Sequence, residues 1–290
     1  MLQVARLAPR LLGESTPSVL SFLRGQIADD GGFLGRGGSS DLYYTVFGVE
    51  GLLALRADLP LARLAAYLRS FGDGSSLDLV HAACLARAWA ALPPEARREA
   101  PTETLSARLL AHRSRDGGFA HETGAAEGTV YALFLAAGAL QDLGQPLPSA
   151  GDLRPVIERL RARDGGFANH PGAPEGQTPA TAAAAALLRH LGDAADPSLA
   201  AWLLARAHVD GGFFASPRAP APDLLSTAVA LHALAGLHAE TSRLREPCLD
   251  FLDTLWTSRG GFYGHWADDA VDCEYTYYGL LALGHLSLAG

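Results

Sequence analysis

The chain has 290 residues, 49% of them apolar, enough to bury a large core in one repeat array rather than two domains. Its net charge is −8 with no basic cluster, which argues against a nucleic-acid partner, and no apolar run approaches the length of a membrane span. Three scattered cysteines, Cys84, Cys248 and Cys273, offer no disulfide frame and read as a reducing, cytoplasmic compartment.

The leader, MLQVARLAPRLLG, has an Arg within its apolar stretch and no convincing cleavage site, so it reads as a docking helix rather than a signal peptide. Beyond it comes the turn Asp30-Gly31-Gly32-Phe33, which recurs as Asp116-Gly117-Gly118-Phe119, Asp164-Gly165-Gly166-Phe167, Asp210-Gly211-Gly212-Phe213 and Arg259-Gly260-Gly261-Phe262. Phe71-Gly72-Asp73-Gly74 is a decayed copy. Six copies at periods of roughly 37 to 49 residues make residues 1–290 a single repeat domain. The Gly-Gly pair supplies backbone angles that other residues avoid, and the Phe is expected to plug the seam between neighbouring units.

Two kinds of helix alternate between these turns. One is amphipathic and charged, predicted over residues 17–26, 60–70, 102–113, 152–163, 197–208 and 245–256. Apolar residues recur there at three- and four-residue steps, the pattern of a helix with one wet face. The other begins at Asp41, Asp78, Glu127, Glu175, Asp223 and Asp272 and is rich in Ala, Gly, Leu and aromatics, as in TPATAAAAALL from Thr178. A helix that is apolar all round is buried on all sides. Six of each predict an all-α fold, an α/α toroid with six inner and six outer helices in a closed α6/α6 barrel. Alternation makes every inner helix run the same way, so six N-termini, each expected to be capped by a carboxylate, open at one mouth.

The recurrent turn, with the D-x-Y-[HY]-T-x-x-G-[LV] pattern of Asp41 to Val49, resembles the repeats of protein prenyltransferase β-subunits and, more distantly, of squalene-type terpene cyclases. The resemblance covers residues 17–286. It implies an isoprenoid diphosphate in an aromatic-lined cavity and a zinc ion held by D-x-C on one inner helix and a His on the next. A helical α-subunit partner is also implied. On these matches Asp41 and His81 are metal ligands, and Arg36 and Tyr44 contact diphosphate, while Tyr43 stands where the Cys belongs. In the last repeat Asp272 matches the Asp and Glu274 replaces the Cys; Cys273 is one residue off register, about 100° away on a helix. Ring closure brings these partial sites together. Asp41, His81 and Asp272 are then expected to form an oxygen-rich site that would admit Mg²⁺ or Mn²⁺ as well as Zn²⁺, with Asp272 and Glu274 as auxiliary ligands or catalytic base. Asp268, Asp269 and Asp272 also make a D-D-x-x-D string, a pattern that holds Mg²⁺-diphosphate in class I isoprenoid enzymes.

Tyr43, Tyr44, Phe47, Trp89, Tyr131, Tyr275, Tyr277 and Tyr278 are expected to wall the cavity, binding a polyisoprene tail and stabilising developing positive charge. His112, His121, His170, His190, His208, His232 and His285 lack ligand spacing and read as structural or surface residues. No D-x-D-D acid of class II cyclases, G-x-S-x-G elbow or P-loop occurs. The expected function is a prenyltransferase-like enzyme that binds an isoprenoid diphosphate with a divalent metal at the mouth. The alternatives are a non-catalytic lipid-binding or protein-interaction module on the same fold, and a terpene cyclase-like enzyme.

Overall fold

The computed structural model describes residues 1–288. Among them twelve helices of eight residues or more alternate between an outer and an inner position. They are α1 (Thr16–Gly25), α2 (Leu42–Ala54), α3 (Leu61–Arg69), α4 (Leu79–Ala90), α5 (Thr102–Ala111) and α6 (Val130–Asp142). The second half supplies α7 (Ala150–Arg159), α8 (Thr178–His190), α9 (Pro197–Leu204), α10 (Leu224–Gly236), α11 (Arg245–Leu255) and α12 (Cys273–Leu286). The even-numbered helices pack in a ring, each on the next, and α12 returns to α2. Each odd-numbered helix lies outside, against the inner helix that follows it. The predicted α/α toroid is therefore closed.

The repeated turn explains the closure. Its first glycine has a left-handed backbone, φ +96° at Gly31 and +93° at Gly260, where a side chain is strained. Its second glycine makes the seam between units, because the next outer helix presses on the bare backbone. A Cβ would lie 2.6 Å from the Tyr67 ring at Gly32, 2.5 Å from Trp202 at Gly166 and 2.9 Å from Phe22 at Gly261. The last of these seats the final turn on α1. The Phe was expected in that seam, yet it is buried against the inner helix of its own unit, where Gly48 and Gly279 leave space for Phe33 and Phe262. Its N–H donates to a threonine hydroxyl in the first turn of that helix: Phe33 to Thr45 at 2.9 Å, Phe167 to Thr181 at 2.8 Å and Phe213 to Thr227 at 2.9 Å. An unpaired N–H at such a buried point would cost about 1–3 kcal/mol, which accounts for the Thr of the repeat.

The caps depart from expectation at two helices. Asp41, Asp78, Asp223 and Asp272 cap α2, α4, α10 and α12 as predicted. Helices α6 and α8 are instead preceded by Thr129 and Gln177. Gly128 and Gly176 donate their N–H groups to Asp116 and Asp164 of the preceding turn, both at 3.0 Å, which holds the chain extended past Glu127 and Glu175 and delays each helix. Those glutamates face Arg159 and Arg218 instead.

The leader forms two short helical turns, Leu2–Ala5 and Pro9–Leu12, packed on α12 and α2. Arg6 donates to the Leu53 carbonyl and Val4 lies over Gly284, so the segment docks at the C-terminal end of the barrel, opposite the mouth. Among the described residues no helix is long and apolar enough to cross a membrane.

Candidate active site

The inner helices share one periodicity, and it layers the lumen. The second residue of each, at the mouth, is Tyr43, Val80, Tyr131, Pro179, Leu225 or Glu274. The sixth, at the waist, is Phe47, Cys84, Leu135, Ala183, Val229 or Tyr278. Steps of four, then three or seven, keep these positions on one helical stripe. All the waist residues but Cys84 are half-buried although their helices are internal.

The rim of the mouth is acidic and latched. Arg36, on the loop between strands β1 (Phe33–Leu34) and β2 (Ser40–Asp41), reaches across the ring closure to the last repeat. Its Nε donates to Asp272 at 2.7 Å, and its Nη1 and Nη2 grip Asp268 at 3.1 and 2.7 Å. The guanidinium also lies 5.4 Å from the centre of the Tyr275 ring. Burial pushes the Asp272 carboxyl up, against the pull of its cap bond to Tyr275 N–H and of Arg36. At Asp268 burial is outweighed by Arg36, and the carboxyl is held low.

Below the rim sits Glu274, only 9% exposed. Tyr43 Oη donates to its Oε1 at 2.6 Å. Burial pushes this carboxyl up to about 7, with Asp272 adding to the rise and the Tyr43 bond and Arg36 opposing it. Aromatic rings surround it: Tyr43 stands edge-on to Phe47 at 5.0 Å, Phe47 is 5.5 Å from Tyr278, and Tyr278 is 6.5 Å from Tyr275. Burial raises the hydroxyls of Tyr43 and Tyr278 far above the ordinary phenol value, and those of Tyr131 and Tyr275 to about 12, so all four stay neutral donors.

The floor is the layer that the sequence reading passed over. At the ninth or thirteenth residue each inner helix carries one ionisable side chain: Glu50, Arg87, Asp142, His190, His232 and His285. Arg87 bonds Glu50 at 2.5 Å and lies 3.6 Å from Asp142. Across the ring, His232 Nδ1 and His285 Nε2 are hydrogen-bonded at 3.0 Å. Burial lowers the two imidazoles to about 3 and 4, so both are neutral at physiological pH. The signal for this layer was an ionisable residue recurring at the ninth or thirteenth position of helices that carry little other charge.

A sequence model of the prenyltransferase α/α-toroid domain matches residues 8–213 and 181–288. The chain belongs to the prenyltransferase α/α-toroid family. No curated protein matches it. Among solved structures, the type II terpene cyclase MstE from Scytonema is similar at TM-score 0.65 and 16% identity, over 97% of this chain and 99% of that one. Another structure of that enzyme holds geranylgeranyl dihydroxybenzoate as substrate. A protein from Actinoplanes is similar at TM-score 0.65 and 16% identity, over 95% of this chain and 98% of that one. Protein geranylgeranyltransferase-I from Candida albicans, complexed with GGPP, is similar at TM-score 0.52 and 15% identity, over 99% of this chain and 81% of that one. At such identities the likeness establishes the fold.

Within the family toroid, the metal set expected at Asp41, His81 and Asp272 is not brought together. Asp41 accepts the N–H groups of Tyr43 and Tyr44, at 2.7 and 3.2 Å. His81 turns its Nδ1 to Asp78 at 2.9 Å, and Asp272 is taken by Arg36 and the α12 backbone. Among the described residues no three His, Cys, Asp or Glu side chains converge as metal ligands. In the D-D-x-x-D string the first and last carboxylates share one guanidinium. This donor set does not fit the expected ion. Trp89 is also displaced from its expected place: as the eleventh residue of α4 it leaves the lumen stripe and is 1% exposed in the core. Tyr43, Tyr131 and Tyr278 lie on the stripe, while Tyr44 and Tyr275, one residue off the mouth position, stand at the rim.

Proposed function

We propose that this protein is an isoprenoid cyclase that starts its reaction by protonating an alkene, with Glu274 as the acid. The observation that carries this reading is a buried carboxyl at the mouth end of the inner helices, bonded to Tyr43, set among tyrosines and pushed up to about 7 by burial. An acid whose pKa lies near working pH is both protonated and able to give its proton up. The Glu274 O–H bond breaks as a C–H bond forms at one alkene carbon, and the lost π pair leaves a cation on the other. The Tyr43 O–H then stabilises the new carboxylate, and the charge of Arg36 helps. The faces of Phe47, Tyr131 and Tyr278 stabilise positive charge by cation–π attraction as it moves down the lumen. Family membership supports the substrate class, as do neighbours whose ligands are a geranylgeranyl dihydroxybenzoate and GGPP.

Prenyl transfer from a diphosphate, the reading the sequence favoured, has weaker support. It needs cations at the mouth, and Arg36, the guanidinium reaching the last repeat there, already serves two carboxylates. It also needs the metal that the donor set does not fit, and a helical partner subunit.

Incubation with a neutral polyprenol such as geranylgeraniol in D₂O tests the proposal. Wild type should yield a cyclised product carrying solvent deuterium, and Glu274→Gln none. Cyclisation by Glu274→Gln at the wild-type rate would overturn the assignment.

A further inference from the structure

A reaction begun by adding a proton must end by losing one, and the acid at the mouth is in the wrong place to collect it. We propose that the His232–His285 pair on the barrel floor is the base that ends the reaction, relaying the proton of the final cation across its imidazole–imidazole bond. The inference rests on the acid-initiated reading and adds its terminating residues.

Position supports it first. Glu274, Tyr278 and His285 are the second, sixth and thirteenth residues of α12 and lie on one stripe, with His285 roughly 16 Å below Glu274 at the helical rise per residue. His232 follows Val229 on the stripe of α10 and is half-buried while His285 is buried, so it is the more accessible imidazole of the pair. The waist, with Phe47 and Tyr278 on it, lies between acid and base, where a cation would be held while rings form. Had the base stood beside Glu274, it would quench the first cation.

Chemistry supports it second. In a neutral imidazole one nitrogen donates and the other accepts. A hydrogen-bonded pair therefore keeps one free donor and one free acceptor. With Nδ1–H of His232 donating to Nε2 of His285, the free acceptor is His232 Nε2 and the free donor is His285 Nδ1–H. The balance then closes: the C–H bond next to the final cation breaks, its electron pair becomes the new C=C, and the proton binds His232 Nε2. The Nδ1 proton of His232 crosses the 3.0 Å bond to His285 Nε2, and His285 Nδ1–H leaves to solvent. One proton enters at Glu274 and one departs at the pair, as an isomerisation requires. The other ionisable groups of this layer are less suited: Glu50 and Asp142 face Arg87, and His190 is exposed at the surface.

The test uses geranylgeraniol with His232→Gln and His285→Gln, which keep hydrogen-bonding capacity but cannot take a proton. The readout is the product ratio per molecule of substrate consumed. Wild type should give predominantly one cyclic alkene. Each variant should show a roughly tenfold rise in hydrated alcohols and alkene isomers, as other bases quench the cation, a ratio worth about 1.4 kcal/mol. Imidazole added to His232→Ala should restore the single alkene, which covers the case of a Gln variant that folds poorly. Unchanged product ratios in folded variants, or no rescue by imidazole, overturn the proposal while leaving Glu274 in its role. Wild type that leaves the probe untouched, or Glu274→Gln that cyclises it, removes the acid-initiated reading and this inference with it.

Discussion

The mouth and the floor of the barrel hold similar inventories of ionisable groups and treat them differently. At the mouth Arg36 binds Asp268 and Asp272, yet Glu274 is left with only a tyrosine partner and a raised pKa. On the floor Arg87 pairs with Glu50 and faces Asp142, and burial keeps the two histidines neutral. Burial pushes Glu274, bonded to a phenol, up to about 7, whereas the guanidinium of Arg36 holds Asp268 low. The same helical stripe thus places a proton donor at one end and proton acceptors at the other, with aromatic rings between them.

The comparison breaks most visibly at Glu274. Glu274→Gln should lower cyclisation by about 10²–10⁴-fold, the usual range for a lost general acid, measured as initial rate of product formation. In wild type that rate should fall as pH rises through about 7. The same group links to stability. Its folded pKa lies above its unfolded one, so it supports folding at low pH, and that support is lost as pH climbs from the ordinary carboxylate range through about 7. Glu274→Gln should therefore be relatively more stable in alkaline than in acid solution, by on the order of 3 kcal/mol in urea melts.

The floor is where the next largest effect belongs. Arg87→Met leaves Glu50 and Asp142 without their cation and should cost about 2 kcal/mol of stability, less than for a fully buried pair because the groups are partly solvated. Product identity should change little. Tyr43→Phe sharpens the mouth side of the comparison: without the donor to Oε1, the conjugate base of Glu274 is less stable, so the rate should drop about tenfold and the pH profile should move upward. Arg36→Gln should cost under about 1 kcal/mol in melting experiments, since the side chain is 39% exposed. Smallest of all is the expected effect of a chelator. Because the mouth carboxylates are committed to Arg36 and to backbone caps, EDTA should leave the rate unchanged.

The fold was legible because its requirements are local. A left-handed glycine, a second glycine under an aromatic ring and a threonine for a buried N–H each leave a mark in the sequence, and together they predict a closed ring. The caps of α6 and α8 were misplaced because the glycine anchors at Gly128 and Gly176 act through turn aspartates twelve residues away. The site was legible as a set of residue types and not as a set of partners. Asp41, His81 and Asp272 have suitable chemistry for a metal, but their bonds to Tyr43 N–H, Asp78 and Arg36 depend on side-chain directions that spacing does not encode. Trp89 was misread because aromatic content was counted without phase. His232 and His285 were passed over for a related reason: fifty-three residues apart in sequence, they meet only when α10 packs on α12.

The central claim is that Glu274 keeps its proton near neutral pH. Titration of its side-chain carboxyl by ¹³C NMR, in wild type labelled at glutamate and assigned with Glu274→Gln, measures this directly. A midpoint near about 7 is predicted; a midpoint in the ordinary range, about 4.3, would leave the barrel without its acid.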